Sequence, residues 1–354
     1  LLVPGKIHPW FRELIVHFIT SMAAFAFART RDLLTHDIIQ KCESVKESNA
    51  TTRKKKRWCE VLEQNIERIY PNRKLILVGS STTSFAIEGC DVDLTIIRTD
   101  SPPFYGFESG LQILSRIRDA LIARTSINTE LISSAVVPIL KLKDRHEGLE
   151  GDISVDIQNS IFNTYLQKCY GRMDPRVTPL VVTVKHWAQE SGITGAHYHK
   201  LSGFAVVLLV IYYLQRGCSP PVLHSLQDLN PIHFTTTATA SITAEKLMSD
   251  SLPAVVTSYN SANTATLGEL LVGFFNFYCN FDWHQVLSVR LAGPRRVPID
   301  KKWTRPYIRI EDPFDQKNVT RAVYEFSGFC DIKQAFNTAK TRLAYGQCRL
   351  HEIF

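Results

Sequence analysis

The chain has 354 residues, 45% hydrophobic and 21% charged, an ordinary globular composition that excludes disorder, collagen and coiled coil as descriptions of the whole. That length suggests two domains or one large composite domain. With 41 basic and 34 acidic side chains the net charge is +7, compatible with a phosphate-bearing partner but far short of a histone-like chain.

In chain order, the first 28 residues offer one apolar run, residues 14–27. His17, Thr20 and Ser21 interrupt it, and it is shorter than the roughly 20 residues a spanning helix needs, so no membrane segment is expected. Lys6 and Arg12 ahead of it would suit a signal peptide. The eight scattered cysteines, without a CxxC pair, read instead as thiols of a reducing compartment. A core or docking helix, or sequence outside the folded protein, is therefore the preferred reading of the run.

From Thr35 to Tyr70 the pattern is helical, with a break around residues 47–52. Trp58, Leu62, Ile66 and Ile69 form one buried stripe, and the basic run Arg53 to Arg57 is read as a solvated helix face rather than an RNA contact or nuclear address. After Pro71 short apolar strands are expected at 75–79, 92–97, 136–142 and 153–158, with an amphipathic helix carried by Leu111, Leu114, Ile117 and Leu121 between the second and third. From Thr178 helices dominate, notably 180–191 and 201–215, and the polar stretch 235–251 reads as a long loop or insertion.

The most informative segment runs from Leu75 to Ile97. A strand ends at Gly79–Ser80, where a side chain on residue 79 would obstruct an approaching phosphate and the Ser80 hydroxyl can donate to it. Eleven residues after Ser80 comes Asp91 and two later Asp93, so both carboxylates point to one face of the next strand while Val92, Leu94 and Ile96 point to the core. Two adjacent carboxylates repel, and holding both ionised calls for a hard cation, Mg²⁺ or Mn²⁺, bridging to substrate phosphates. On a later strand Ile153, Val155 and Ile157 alternate inward, which puts Asp152, Ser154 and Asp156 on the opposite face. Asp152 follows a glycine read as a turn at the strand's entry, so Asp156 is the expected third ligand and the assisting base of a two-metal centre. A lone Asp-x-Asp on a strand is weak; the Gly-Ser, the spacing and the partner strand together are much more specific.

These residues resemble the DNA polymerase β-like nucleotidyltransferases. More narrowly the chain is similar to template-independent poly(A) and terminal uridylyl polymerases, and most to cytoplasmic poly(A) polymerases of the germline-development (Gld-two) type. Further motifs carrying the resemblance are Asn163-Thr164, Val184-Lys185-His-Trp187, Leu201-Ser202-Gly203-Phe204, Tyr212-Tyr213-Leu214, Gly268-Glu269, Phe281-Asp282-Trp283, and Ile310-Glu311-Asp312-Pro313-Phe314-Asp315 with Arg321-Ala-Val323.

The resemblance implies an α+β, bilobed fold: a mixed β-sheet catalytic domain over 58–176 and a mainly helical central (PAP-associated) domain over 177–340. Residues 29–57 would pack on the central domain, 1–28 stay unassigned, and 341–354 form a tail. It also implies that Lys185 contacts the triphosphate, that Phe204 stacks on the incoming base where relatives have tyrosine, and that Ser202 supplies a hydroxyl that Gly203 cannot. Asn163 would read the ribose 2′-OH and Thr164 would touch phosphate. Gln189 stands where relatives often carry a second lysine.

Uridylyl-transferring relatives have a histidine where Lys317 stands, so ATP is the expected substrate, with Asp312 and Asp315 either accepting from the base or ordering their loop. Short basic groups at Arg53–Arg57, Arg295–Arg296 and Lys301–Lys302–Arg305 offer sequence-independent contact to an RNA 3′ end. No RNP-type motif, KH loop or zinc finger is present in the sequence, and the resemblance implies an RNA-binding protein partner and cytoplasmic residence, with nuclear residence the alternative. A terminal uridylyltransferase is the near rival. A weakly active scaffold and an Asp-x-Asp glycosyltransferase are the distant ones.

Overall fold

The computed structural model describes residues 32–99, 108–134, 137–235, 240–345 and 348–354, with the side chains of His197 and Tyr345 left aside. The apolar run at 14–27 and its signal-peptide reading lie outside these residues.

Helix α1, residues 32–45, precedes α2, Asn49–Glu67. The break between them is a helix start: the Ser48 hydroxyl accepts the Thr51 N–H at 3.1 Å, satisfying a donor the first turn leaves open. Strands β1 (Arg73–Val78) and β2 (Val92–Arg98), helix α3 (Gly110–Arg124), and strands β3 (Asn128–Ile132), β4 (Ile139–Asp144) and β5 (Leu149–Val155) complete the first lobe. The sheet order is β1-β2-β5-β4-β3, with β2 and β5 parallel and the other pairs antiparallel. The sequence pattern missed β3, whose Asn128-Thr-Glu130 has no apolar alternation to mark it.

One face of the sheet packs on α2 and α3 through Trp58, Leu62, Ile66, Leu94, Ile96, Ile113 and Ile117. Ile76, Val78 and Ile97, together with Phe85, instead join the larger core of the helical lobe. Helices α4 (Gln158–Met173), α5 (Val177–Glu190) and α6 (Gly203–Arg216) build that lobe with Leu267–Cys279 and Phe326–Tyr345. At its centre Trp187 meets Phe275 and Phe336 edge-on at 4.7 and 5.1 Å. The Gly268-Glu269 motif is a helix start: Glu269 accepts the Thr266 N–H while the Thr266 hydroxyl accepts the Glu269 N–H.

Several expectations change. The boundary expected at residue 57 falls inside α2, which is continuous from 49 to 67. Helix α1 does sit on the helical lobe, burying Leu34 and Ile38 there. The polar stretch at 235–251 contains the helix Ala240–Met248, whose Ala240, Thr243, Ala244 and Leu247 are buried, because small side chains suffice for a face pressed on α4. The tail folds back: the helix Phe326–Tyr345 passes residue 341, and Arg349 binds Asp37 of α1 through two hydrogen bonds of 2.6 and 2.7 Å. All eight cysteines are free thiols.

Candidate active site

The site lies where β1 ends and β2 begins. Gly79 opens a tight turn with φ +69, and a Cβ there would overlap the Oδ2 of Asp93. Residue 79 is thus glycine for two reasons, its left-handed backbone and the carboxylate pressed against it. Its N–H donates to the Thr164 hydroxyl at 2.9 Å, and that hydroxyl gives its own proton to the Ser160 carbonyl at 2.6 Å. Thr164 is buried, and with its only proton committed it cannot donate to a phosphate; its role is to tie α4 to the turn.

The carboxylate that the sheet brings beside Asp93 is Asp152 and not, as expected, Asp156. In the parallel register Asp93 stands opposite Asp152. Asp156 lies four residues further on, about 13 Å along an extended strand. Its carboxylate there takes the Arg73 guanidinium at 3.3 Å, at the end of β1 away from Gly79. Gly151 is not a turn but an interior β5 position, where a Cβ would collide with the Val92 carbonyl and press on Trp58. The turn is at Gly148, φ +62, so the strand starts earlier and Asp152 is well inside it.

Asp91, Asp93 and Asp152 form one electrostatic group. Asp93 keeps solvent contact but is flanked by protein, and its carboxyl is pushed up to about 6, first by desolvation and then by Asp152 and Asp91. Lys185 and Lys55 work in the opposite direction. Burial also raises the Asp152 carboxyl, with Asp91 adding and Lys141 opposing. Among the described residues no three His, Cys, Asp or Glu side chains close into a ready-made cation cage. Oxygen donors crowded on one open face, one of them unable to ionise easily, fit a hard divalent cation that completes its shell with water and phosphate.

The run of lysines supplies a residue that the sequence reading set aside. Lys55 is 2% exposed. Its ammonium donates to Glu47 at 2.6 Å, the Cys90 carbonyl at 2.7 Å and the Ser81 hydroxyl at 3.2 Å. It therefore clasps both ends of the turn-to-strand loop directly before Asp91. The signal was in the spacing, since Lys55 precedes Trp58 by three positions and extends the buried stripe of α2 by one turn. Arg53, Lys56 and Arg57 are exposed, as a solvated face requires.

Other expected residues divide. Ser80 is half-buried at the turn. Lys185 is half-buried, its ammonium bound to the Phe85 carbonyl at 2.7 Å and its pKa lowered by burial. The Ser202 hydroxyl accepts the Ala205 N–H at 3.1 Å as the cap of α6, and Phe204 on the first turn is half-buried against the helical core. Asn163 of α4 donates to Asp312 at 2.7 Å, while among the described residues its Oδ1 accepts nothing. Asp312 also accepts the N–H groups of Phe314 and Asp315, and Asp315 accepts both the N–H and the ammonium of Lys317. Both aspartates thus order the loop, and Lys317 stands 72% exposed at its end.

Residues 34–172 match the family described as "Poly(A) RNA polymerase, mitochondrial-like, central palm domain", and 266–318 match "Cid1 family poly A polymerase". The chain is 34% identical over 321 residues to Poly(A) RNA polymerase GLD2 of Mus musculus, covering 88% of this chain and 65% of that protein. It is 31% identical over 356 residues to Poly(A) RNA polymerase GLD2 of Homo sapiens, covering 96% and 72%. The chain thus spans about two thirds of the length of these relatives. A crystal structure of the Cid1 poly(U) polymerase superposes with a TM-score of 0.73 at 28% identity, covering 89% of this chain and 94% of that one. The structure of Cid1 in complex with its short product ApU gives 0.73 at 27%, with the same coverage. Among the described residues no helix is long and apolar enough to cross a membrane.

Proposed function

The chain belongs to the family of the GLD2 poly(A) RNA polymerases, and on that premise we propose that it adds AMP from ATP to RNA 3′ ends without a template. The observation that carries the reading is the apposition of Asp93 and Asp152, with Gly79 closed against Asp93, in a chain of that family.

In this reading Asp91, Asp93 and Asp152 hold Mg²⁺ or Mn²⁺. Such a cation, when bound, offsets triphosphate charge and acidifies the attacking 3′-hydroxyl. The rest is done by the chain's own groups. Gly79 lets the backbone approach the phosphates, and the Ser80 hydroxyl donates to one of them. The Lys185 ammonium adds positive charge behind the turn without a bidentate geometry. Phe204 stacks on the incoming base, and Asn163 reads the ribose through its unpartnered amide oxygen. Lys317, projecting from the loop fixed by Asp312 and Asp315, occupies the base-reading position. The proposal includes recruitment by an RNA-binding protein and work in the cytoplasm, both resting on family resemblance.

Uridylyl transfer is the second reading, favoured by the likeness to the Cid1 poly(U) polymerase. Purified protein incubated with an oligo(A) primer, Mg²⁺ and each nucleoside triphosphate separately decides between them. ATP should be incorporated best; equal or better use of UTP would sink the adenylyl assignment.

A further inference from the structure

Beyond Lys317 the chain continues into a surface strip of cations and rings. Arg321 lies within electrostatic range of Lys317. The Tyr307 N–H donates to the Val323 carbonyl at 2.8 Å, which brings residues 305–307 beside the start of the helix Phe326–Tyr345. There the Tyr307 and Phe329 rings stack at 5.2 Å and 13°, and Phe326, 63% exposed, tilts onto Tyr307 at 5.6 Å. The Arg305 guanidinium lies 4.1 Å over the Tyr324 ring, and the Lys333 ammonium lies 5.5 Å over Phe329. Of the acidic groups in the same stretch, Asp331 is paired with Lys200 at 3.1 Å and Glu325 lies 3.5 Å from the His199 ring, so Arg305, Arg321 and Lys333 leave the strip with a positive excess.

We propose that this strip binds single-stranded RNA upstream of the 3′ end, with bases stacked on Tyr307 and Phe326 and phosphates drawn by Arg305, Arg321 and Lys333. It rests on the reading of the chain as an RNA nucleotidyltransferase and adds a substrate surface to it. Exposed rings interleaved with cations match what an unpaired strand presents, a π-face on every base and a charge on every phosphate. Location agrees as well. One end of the strip adjoins the loop carrying Lys317, and His199 and Lys200 tie its middle to the segment leading into Ser202 and Phe204. Sequence tolerance follows, since stacking and charge do not read base edges.

The test measures binding without turnover. Fluorescein-labelled oligo(A) of fifteen nucleotides is titrated with the full chain, as wild type, as Y307A/F326A and as R321E/K333E, without nucleotide. Extension of a trinucleotide, which has almost no upstream strand to offer, is measured in parallel. Both double variants should bind oligo(A) about tenfold or more weakly, the charge variant with a shallower salt dependence, while trinucleotide extension stays at the wild-type rate. Unchanged oligo(A) affinity in both variants, or no oligo(A) affinity in the wild type, overturns the proposal, and unchanged affinity leaves the strip as a protein-docking face. Loss of affinity in the variants of a chain that transfers nucleotide to no primer would sink the polymerase reading and keep the RNA surface.

Discussion

The Cα of Gly79 lies against the carboxylate of Asp93, so closely that a methyl group on residue 79 would occupy the space of Oδ2. The turn and the aspartate are therefore one unit. Gly79→Ala must push Asp93 aside and strain a backbone at φ +69. A displacement of about 1 Å at a reacting centre costs on the order of a hundredfold in rate. Initial rates of AMP incorporation should fall by about that factor, with the affinity for oligo(A) unchanged.

Asp152 and Asp156 separate cleanly. Asp152→Asn removes a carboxylate directly opposite Asp93 and should lower primer extension by about 10²-fold or more. Asp156→Asn breaks an ion pair with Arg73 at the far end of the sheet. It should cost about 1 kcal/mol or less in a urea titration and leave extension near the wild-type rate. The reverse ranking would restore Asp156 to the site.

Lys55→Met strands Glu47, 3% exposed at its side chain, without its partner. An unpaired buried charge costs about 3–5 kcal/mol, whereas removing both charges is far cheaper. Urea denaturation should show Lys55→Met strongly destabilised and the double variant with Glu47→Leu recovering most of the loss. Recovery of stability without recovery of activity would mark the Lys55 grip on Cys90 and Ser81 as the means of placing Asp91.

The Asp37–Arg349 pair gives an acid-linked stability. Hydrogen bonds from Arg349 hold the Asp37 carboxyl below its ordinary value, so its contribution is present above the unfolded carboxylate pKa of about 4 and is lost as the pH falls through the lower folded value. Asp37→Asn should melt earlier than wild type at pH 7, and the gap should close in acid. A gap that is constant from pH 7 to 3 would show that the pair contributes nothing through ionisation.

Much of this molecule is decided by short-range pattern. The alternation of Val92, Leu94 and Ile96 sets Asp91 and Asp93 on one face whatever surrounds the strand, and the stripe of Trp58, Leu62 and Ile66 makes α2 amphipathic before any tertiary contact exists. The Gly-Ser turn was legible on the same grounds, and the two-lobed class through the family resemblance. Three things were not: which aspartate of β5 meets Asp93, whether Lys55 faces water, and whether Thr164 has a proton to spare. The first depends on the register between two parallel strands separated by a helix and two further strands, which only the packed sheet sets. The second depends on Glu47 and Cys90 arriving from other segments to make burial of an ammonium tolerable. The third depends on α4 lying against the turn at Gly79. Side-chain periodicity is a property of neighbours along the chain; partnership is a property of neighbours in space, and at this site the chemistry rests on partnership.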